Sequence, residues 1–228
     1  MTAGDLVNEH LPKTVKLLQT WDGMTLRNSL VISAAFQEAS RLGMDDVIVG
    51  DAADELFGGY SFMWGSADNL SVWKKKRDDM CKKWTFATSK LALSYGITPH
   101  APFMDDDFVA WALTTHREDC IGERPIKLLL DSEPIMHTVG KVVLREAFET
   151  CASWRRKDPI EVGSGASIIA KDEYWAEELS DEEYIKAKDE FKEQGLIVRT
   201  KEHMINLKSY LKVFGGIVHP EKERMPLG

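Results

Sequence analysis

The residues best suited to chemistry lie together in one short segment, residues 47–60. A β-branched run, Val47–Val49, precedes Gly50, and three carboxylates follow within five positions, ahead of a pair of glycines. The carboxylates are Asp51, Asp54 and Glu55. The apolar run predicts a buried parallel strand, and ligands of open α/β sheets bind outside the carboxyl ends of such strands. Because glycine lets the backbone approach a ligand closely, we predict a ligand site here.

The elements that must position this segment are predicted to be mostly helices. Apolar residues at helical spacing, capping residues and terminating glycines indicate several helical stretches. These are residues 5–18, 25–42, 70–95 (as one helix or two), 105–113, 141–151, 180–193 and 201–214. A further helix is predicted to begin at 127–130, and Arg145 is predicted to pair with a carboxylate, such as one in the cluster at 105–107. A helix leading into a buried strand is typical of α/β architecture, so we predict an α/β fold rich in helix.

Residues 50–60 resemble the Gly-Glu-Gly-Ala-Asp-Glu-Leu-Phe-Gly-Gly-Tyr loop of the asparagine synthetases and the related β-lactam synthetases. Four further segments resemble the same family in the same order, one before this loop and three after it. They are residues 20–29, 95–105, 140–145 and 154–163. Together the matches cover residues 20–165, with a looser likeness to the end of the chain. Matches that keep their order along the chain are hard to explain by chance.

The resemblance implies part of an ATP-pyrophosphatase domain of the adenine-nucleotide α-hydrolase type, with few parallel strands and a helical C-terminal part. It divides the chain into residues 1–165, the partial synthetase domain, and residues 166–228, a helical extension that packs on the same domain. The activity it implies is ATP-dependent amide formation from aspartate through a β-aspartyl-AMP intermediate, a step of asparagine biosynthesis. The cofactors it implies are ATP and Mg²⁺.

The same resemblance assigns roles to particular residues. Asp54 matches the family's magnesium-binding aspartate, and a carboxylate suits Mg²⁺ as a hard cation. Asp51 stands where the family has a glutamate, and Lys141 matches the lysine that neutralises the phosphates, so these two are the predicted catalytic residues. Gly50, Lys141 and Lys157 are the predicted nucleotide or pyrophosphate ligands. The alternatives from residue type alone are a capping or turn role for Asp54 and solvent exposure for the lysines.

The chain departs from the family pattern at several places. The residue after Met1 is not the family's glutaminase cysteine, and the Ser-Gly-Gly-x-Asp-Ser loop, whose backbone amides bind pyrophosphate, does not occur in these 228 residues. Asp51 is one methylene shorter than the family's glutamate, and Ala52 stands where a glycine is usual. Thr98 and His100 replace a glutamate and an arginine. We therefore expect no glutaminase activity from this chain, and only half of the magnesium site.

Two interpretations of different class remain open. In the first, the chain is the C-terminal part of an asparagine-synthetase-like ligase that works with another polypeptide. In the second, it is a catalytically inactive, synthetase-derived protein for binding or assembly, with no cofactor. A third and weaker interpretation is part of a β-lactam-synthetase-like ligase. Retention of Asp54, Lys141 and Lys157 supports the first interpretation, and the departures support the second.

Charge and composition limit the partners. The net charge of −8 argues against binding to nucleic acid or to an anionic membrane surface. Cys81, Cys120 and Cys151 are widely spaced and odd in number, which is typical of free thiols in a reducing compartment. No apolar run reaches membrane-spanning length, so we predict a cytoplasmic protein. A parallel sheet without its leading strands exposes an apolar edge, and we predict a homodimer or a partner chain over that face.

Overall fold

A computed structural model describes residues 2–66, 70–128, 133–148 and 153–217 of the chain. The chain forms two compact units. The first consists of Met1–Asp45, Ala87–Thr98 and Asp158–Gly228, and the second of Asp46–Phe86 and Pro99–Lys157. All of the predicted site residues belong to the second unit. The division at residue 165 that the sequence suggests stays a prediction.

Helices make up most of both units. In chain order the elements are α1 (Ala3–Asp5), a π-helical segment (Leu6–His10), α2 (Leu11–Leu18), α3 (Gly23–Arg41), β1 (Asp46–Ile48), α4 (Ala53–Leu56), α5 (Leu70–Lys83), α6 (Ala87–Leu93), β2 (Thr98–His100), α7 (Asp106–Ala112), α8 (Arg117–Cys120), β3 (Gly122–Ile126), β4 (Ile135–Val139), α9 (Val142–Ala147), α10 (Ile160–Gly163), α11 (Asp181–Glu193) and α12 (Lys201–Phe214). Short 3₁₀ turns lie at Ser61–Ser66, Pro102–Met104, Ala166–Ala170 and Asp172–Trp175. The predicted helix-rich α/β class is confirmed.

The first unit is a helical assembly around a buried core. Its buried side chains include Leu11, Val15, Trp21, Leu26, Leu30, Trp175, Met204, Leu207 and Tyr210. Asp22 caps α3 by accepting a hydrogen bond from the Thr25 amide at 2.8 Å, and Ser180 and Glu183 form the capping box that begins α11. Gly43 ends the α3 segment with a φ of 73°, a conformation that glycine adopts at little cost. The helices predicted at 25–42, 180–193 and 201–214 are confirmed.

The second unit packs short helices around a smaller core. Its buried core residues are Ala52, Leu56, Phe57, Trp73, Ala112, Cys120 and Ile121. Asp105 caps α7 as predicted, since its carboxylate accepts from the amides of Asp107 and Phe108 at 3.1 Å. The Arg77 guanidinium is buried and donates to backbone carbonyls at the C-terminal end of α7, which ties α5 to α7. These contacts hold the frame on which the acidic segment sits.

Strand β1 pairs with β2 in a small parallel sheet. The Val49 amide donates to the His100 carbonyl at 2.8 Å, and the His100 ring lies 2.6 Å from the Asp46 carboxylate. The strand prediction is confirmed in type but wrong in burial, because the Ile48 side chain is 81% exposed. β-Branched residues favour an extended backbone locally, whereas burial requires neighbouring layers that a two-stranded sheet does not supply.

A second sheet, the antiparallel hairpin β3–β4, was not predicted. Its register pairs Gly122 with Val139 and Ile126 with Ile135. One face is anchored by Ile126 and Val139, which pack with Val142 in a small buried cluster. The helix predicted to begin at 127–130 is wrong for its described residues, because Lys127 forms a parallel bridge with Arg155, and residues 129–130 lie outside the described part. Hydrogen bonds to a segment that is distant in sequence determine this conformation, and the residues near Lys127 do not reveal them.

The cysteines of the described chain are free thiols. Burial raises the pKa of Cys81 to about 11 and also raises that of Cys120, so both stay protonated at neutral pH. Cys151 lies outside the described residues, as do the predicted end of the 141–151 helix and the C-terminal tail from residue 218. None of the described helices combines the length and the apolar character that crossing a membrane requires.

Candidate functional site

Three of the predicted site residues meet in the second unit. One oxygen of the Asp54 carboxylate, Oδ1, accepts a hydrogen bond from the Lys157 Nζ at 2.7 Å and forms an ion pair with the Lys141 Nζ at 3.0 Å. The side chains are partly exposed, 22% for Asp54, 22% for Lys141 and 35% for Lys157. Two ammonium groups and one carboxylate therefore share a single place that solvent can reach.

Asp54, Lys141 and Lys157 together carry one surplus positive charge, and the Asp51 and Glu55 carboxylates lie in the same segment as Asp54. Burial by itself raises the pKa of the Asp54 carboxyl, but the nearby Lys141 and Lys157 ammonium groups outweigh burial and hold the pKa below its ordinary value. Asp54 is therefore ionised at neutral pH and cancels the charge of only one lysine. A half-buried cluster with one surplus positive charge favours an anionic ligand.

The acidic segment itself fixes the position of Asp54. Helix α4 begins directly after Ala52, which has a left-handed φ of 74°, and Leu56 and Phe57 anchor the segment in the core with no exposed surface. The Gly59 amide donates to the Asp54 carbonyl at 2.8 Å. A Cβ at Gly59 would lie 1.7 Å from the Asp54 Oδ1, so glycine is required there. The left-handed backbone at Ala52 gives a physical reason for the glycine that is usual at this position.

The hairpin β3–β4 delivers Lys141 to the cluster. The Lys141 amide donates to the Phe57 carbonyl at 2.8 Å, which joins the end of the hairpin to the acidic segment. A Cβ at Gly140 would lie 1.9 Å from the Gly58 carbonyl oxygen, so the two backbones cross at a distance that only glycine permits. Lys141 itself has a φ of 59° and stands at the N-cap of α9. A left-handed lysine is an uncommon conformation that its surroundings must enforce.

Arg145 connects the two lysine segments. Its guanidinium donates to the carbonyls of Gly140 at 3.0 Å and Arg155 at 3.1 Å, and also to the carbonyl of Ser153. The expected pairing with a carboxylate at 105–107 is therefore replaced by backbone contacts. Burial lowers the pKa of Arg145. Because these contacts join the turn before Lys141 to the strand-like segment before Lys157, Arg145 is a positioning residue for both lysines.

Tyr60 and Glu55 support Lys157 and were missed from sequence. The Lys157 Nζ lies 4.8 Å from the centroid of the Tyr60 ring, within the range of a cation–π contact. The Tyr60 hydroxyl donates to the buried Glu55 Oε1 at 2.7 Å, and Phe62 stacks on the Tyr60 ring at 5.3 Å. Burial raises the pKa of Glu55. The only sequence signal was their place in the same segment, five residues apart and on either side of the paired glycines.

Gly50 and Asp51 occupy the turn before α4. Gly50 is exposed, a Cβ built on it would meet no atom within 4 Å, and its carbonyl accepts from the Ala53 amide at 3.4 Å. Asp51 is partly buried, and its charge, with that of Asp54, adds to the effect of burial in raising the Glu55 pKa. The backbone at Gly50 is therefore open to a ligand. The predicted roles of Gly50 and Asp51 stay predictions.

The donor set around Asp54 decides which metal could bind. Within the described ranges, no group of three or more His, Cys, Asp or Glu side chains could hold a metal ion. Asp54 offers one carboxylate, and one of its oxygens already accepts from two ammonium groups. Mg²⁺ commonly takes one or two protein carboxylates together with substrate phosphates and water. The residues therefore fit a Mg²⁺ that shares its ligands with a bound phosphate chain, rather than a cation held by protein alone.

Comparison with known proteins places this geometry in a family context. The family model for asparagine synthase matches residues 1–90, which include Asp54 and the whole acidic segment. A probable glutamine-hydrolysing asparagine synthetase of Dictyostelium discoideum is 28% identical over 231 residues, which cover 94% of this chain and 38% of the relative.

The chain resembles an asparagine synthetase.

Two further asparagine synthetases show the same pattern of partial coverage. The glutamine-hydrolysing asparagine synthetase B of Escherichia coli is 26% identical over 178 residues, 73% of this chain and 29% of the relative. Asparagine synthetase 1 of Saccharomyces cerevisiae is 25% identical over 168 residues, 67% of this chain and 27% of the relative. The resemblance noted in the sequence is confirmed, and the chain corresponds to well under half the length of these asparagine synthetases.

Proposed function

We propose that this chain supplies the pyrophosphate-binding part of an ATP-dependent amide ligase of the asparagine synthetase type. The single observation that carries the proposal is the convergence of Lys141 and Lys157 on Asp54. When a carboxylate such as that of aspartate receives AMP from ATP, negative charge builds up on the departing pyrophosphate. The two lysine ammonium groups at that place would stabilise this charge. The family resemblance supplies the reaction class, asparagine formation through β-aspartyl-AMP.

Each site residue has a task in this proposal. The two ammonium groups bind phosphate oxygens, and the open backbone at Gly50 lets the nucleotide approach. Asp54 would contribute a carboxylate oxygen to Mg²⁺, which when bound balances further charge on the phosphate chain. Asp51 would act on the substrate side, where its shorter side chain would limit its reach. Arg145 and Tyr60 hold the lysines in place.

The proposal assigns the rest of the reaction to another polypeptide segment. The Ser-Gly-Gly-x-Asp-Ser loop that completes the nucleotide site in the family does not occur in the 228 residues. We propose that this loop and the second magnesium carboxylate come from a partner segment, and that the chain is inactive without it. The aspartate substrate and the cytoplasmic location belong to this proposal as well.

The chain alone is expected not to exchange radioactive pyrophosphate into ATP in the presence of aspartate and Mg²⁺, whereas calorimetry should detect pyrophosphate binding. Lys141→Gln and Lys157→Gln are each expected to weaken pyrophosphate binding by about tenfold, which corresponds to the loss of one charge-assisted contact. Lys82→Gln removes the same charge from an exposed position on α5 and is the matched control. Absence of pyrophosphate and ATP binding at millimolar concentration would exclude the proposed site.

A second candidate function is binding or assembly without catalysis. The observation in its favour is the 81% exposure of Ile48 on strand β1. An exposed strand with an apolar side chain is a template for pairing with another chain. In this alternative the lysine–aspartate cluster is a structural ion-pair network, and neither ATP nor Mg²⁺ binds. The calorimetric titrations distinguish the two functions directly.

A further inference from the structure

The cluster already contains the anion that its two lysines attract. Both Nζ atoms approach the same oxygen of Asp54, at 2.7 Å for Lys157 and 3.0 Å for Lys141. A phosphate chain that binds the same ammonium groups must compete with this carboxylate. It must also approach the negative charge of Asp54, whose side chain is only 22% exposed to solvent.

The surroundings limit how Asp54 can give way. On one side the Gly59 backbone lies close to the Asp54 Oδ1, because a Cβ atom built on Gly59 would be only 1.7 Å from that oxygen. The Gly59 amide also holds the Asp54 carbonyl at 2.8 Å. Lys157, by contrast, has a second contact besides Asp54, because the Tyr60 ring lies 4.8 Å from its ammonium group. The lysines can therefore change partner more easily than Asp54 can leave the site.

We propose that a polyphosphate and a divalent cation bind this site as an obligatory pair, by exchange of ion-pair partners. Asp54 passes from the two ammonium groups to the cation, and the ammonium groups pass from Asp54 to phosphate oxygens. Each ligand removes the charge that opposes the other, so the affinity for one rises with the concentration of the other. This inference rests on the proposed function, which assigns the phosphate chain to Lys141 and Lys157.

In the absence of a cation, Asp54 therefore blocks the anion site. Without a cation, the carboxylate occupies the ammonium groups and repels pyrophosphate. With pyrophosphate absent, one carboxylate faced by two ammonium groups is a poor site for a cation. Replacing Asp54 by a neutral side chain should raise the affinity for the anion in the absence of a cation. It should also remove the gain in anion affinity that the cation brings.

Isothermal titration calorimetry with inorganic pyrophosphate tests this exchange, with and without Mg²⁺. For the wild-type chain we expect no binding of Mg²⁺ alone, and pyrophosphate affinity at least about tenfold higher with Mg²⁺ than with EDTA. For Asp54→Asn we expect the reverse order. The variant should bind pyrophosphate about tenfold more tightly than wild type in EDTA, and Mg²⁺ should bring no further gain. Asp79→Asn, an equal change of charge at an exposed position on α5, should behave as wild type.

The outcomes separate this inference from the proposed function. Pyrophosphate binding to wild type that does not change with Mg²⁺ would overturn the exchange while leaving the anion site intact. Equal weakening of both titrations by Asp54→Asn would also overturn it, because Asp54 would then only support the fold. No pyrophosphate binding in either buffer would overturn the proposed function and this inference together. The wild-type pair of titrations can overturn the exchange even if the variant does not fold, because an affinity that does not change with Mg²⁺ contradicts it.

Discussion

At the scale of single residues, Asp54 holds the candidate site together. One carboxylate oxygen joins two lysines that are distant in sequence, the farther of them 103 residues away. Because the lysines outweigh the effect of burial on the Asp54 pKa, the charged form of this carboxylate stabilises the folded second unit. The same residue was predicted from resemblance to bind magnesium, and the structure adds its contacts with both lysines.

Acid is expected to remove the contribution of Asp54 to stability. The folded-state pKa lies below the unfolded value of about 4. The contribution is therefore fully present above about pH 4 and is lost as the pH falls through the folded-state pKa. Asp54→Asn should lower the free energy of unfolding by about 1–3 kcal/mol at neutral pH, and by progressively less under acidic conditions. Urea unfolding as a function of pH measures the difference, and a difference independent of pH would contradict the prediction.

The Tyr60 hydroxyl and the Tyr60 ring are expected to have separable effects. Tyr60→Phe keeps the ring beside Lys157 but leaves the buried Glu55 without its donor, so the free energy of unfolding should fall by about 1–2 kcal/mol. Pyrophosphate affinity should stay within about twofold of wild type. Tyr60→Leu also removes the cation–π contact, worth about 0.5–1 kcal/mol, and should weaken binding by about two- to fivefold. Equal binding by the two variants would show that the ring does not position Lys157.

At the scale of elements, the hairpin β3–β4 and the loop after α4 make the site by crossing at glycines. The Gly140 backbone lies against the Gly58 carbonyl, and the next amide, that of Lys141, donates a hydrogen bond to the Phe57 carbonyl. Helix α4, with four residues, is too short to be stable by itself, so its position depends on the buried side chains and on this crossing. The elements around the site are therefore held by tertiary contacts rather than by helix propensity.

Gly140→Ala is expected to disrupt this crossing. The added methyl carbon would lie 1.9 Å from the Gly58 carbonyl oxygen, so the two segments must separate. We expect the free energy of unfolding to fall by about 2–4 kcal/mol, together with loss of pyrophosphate binding. Gly163→Ala is the matched control, because a Cβ there meets no atom within 4 Å. The control lies in helix α10 and should leave stability unchanged or raise it by up to about 1 kcal/mol. Similar unfolding curves for the two variants would contradict the prediction.

At the scale of the whole molecule, the match to the Dictyostelium relative covers 94% of this chain but only 38% of that relative. The exposed Ile48 side chain on the short β1–β2 sheet is consistent with a strand that another polypeptide covers. We propose that this face carries the interaction, in a homodimer or with a partner chain, that both interpretations of the sequence anticipate.

Association through β1 is expected to be sensitive to one substitution. Ile48→Lys places a charge on the exposed strand, and a charge at such an edge opposes strand pairing. Size-exclusion chromatography with light scattering should show a dimer for the wild-type chain and a monomer for the variant. Ile185→Lys, an equal change at an exposed position on α11, should leave the dimer intact. A wild-type monomer at high concentration would contradict a homodimer, and only a partner chain would then fit this face.

The sequence by itself determined what depends on neighbouring residues. Capping side chains such as Ser180, Asp105 and Asp22 bond to amides within three positions, and glycines such as Gly43 end helices where the backbone turns left-handed. These signals are local, so the helices at 25–42, 180–193 and 201–214 were predicted with nearly correct bounds. The family resemblance carried by the acidic segment was also readable, because it is a pattern of residue types in order.

Only the tertiary structure decided what depends on distant neighbours. The exposure of Ile48, the bridge at Lys127 in place of a helix, and the backbone contacts of Arg145 were predicted otherwise, and the hairpin was missed. In each case the outcome depends on segments that local sequence does not reveal. The same holds for the candidate site, because the approach of two ammonium groups to one carboxylate oxygen arises from folding three separate segments around Gly59 and Gly140.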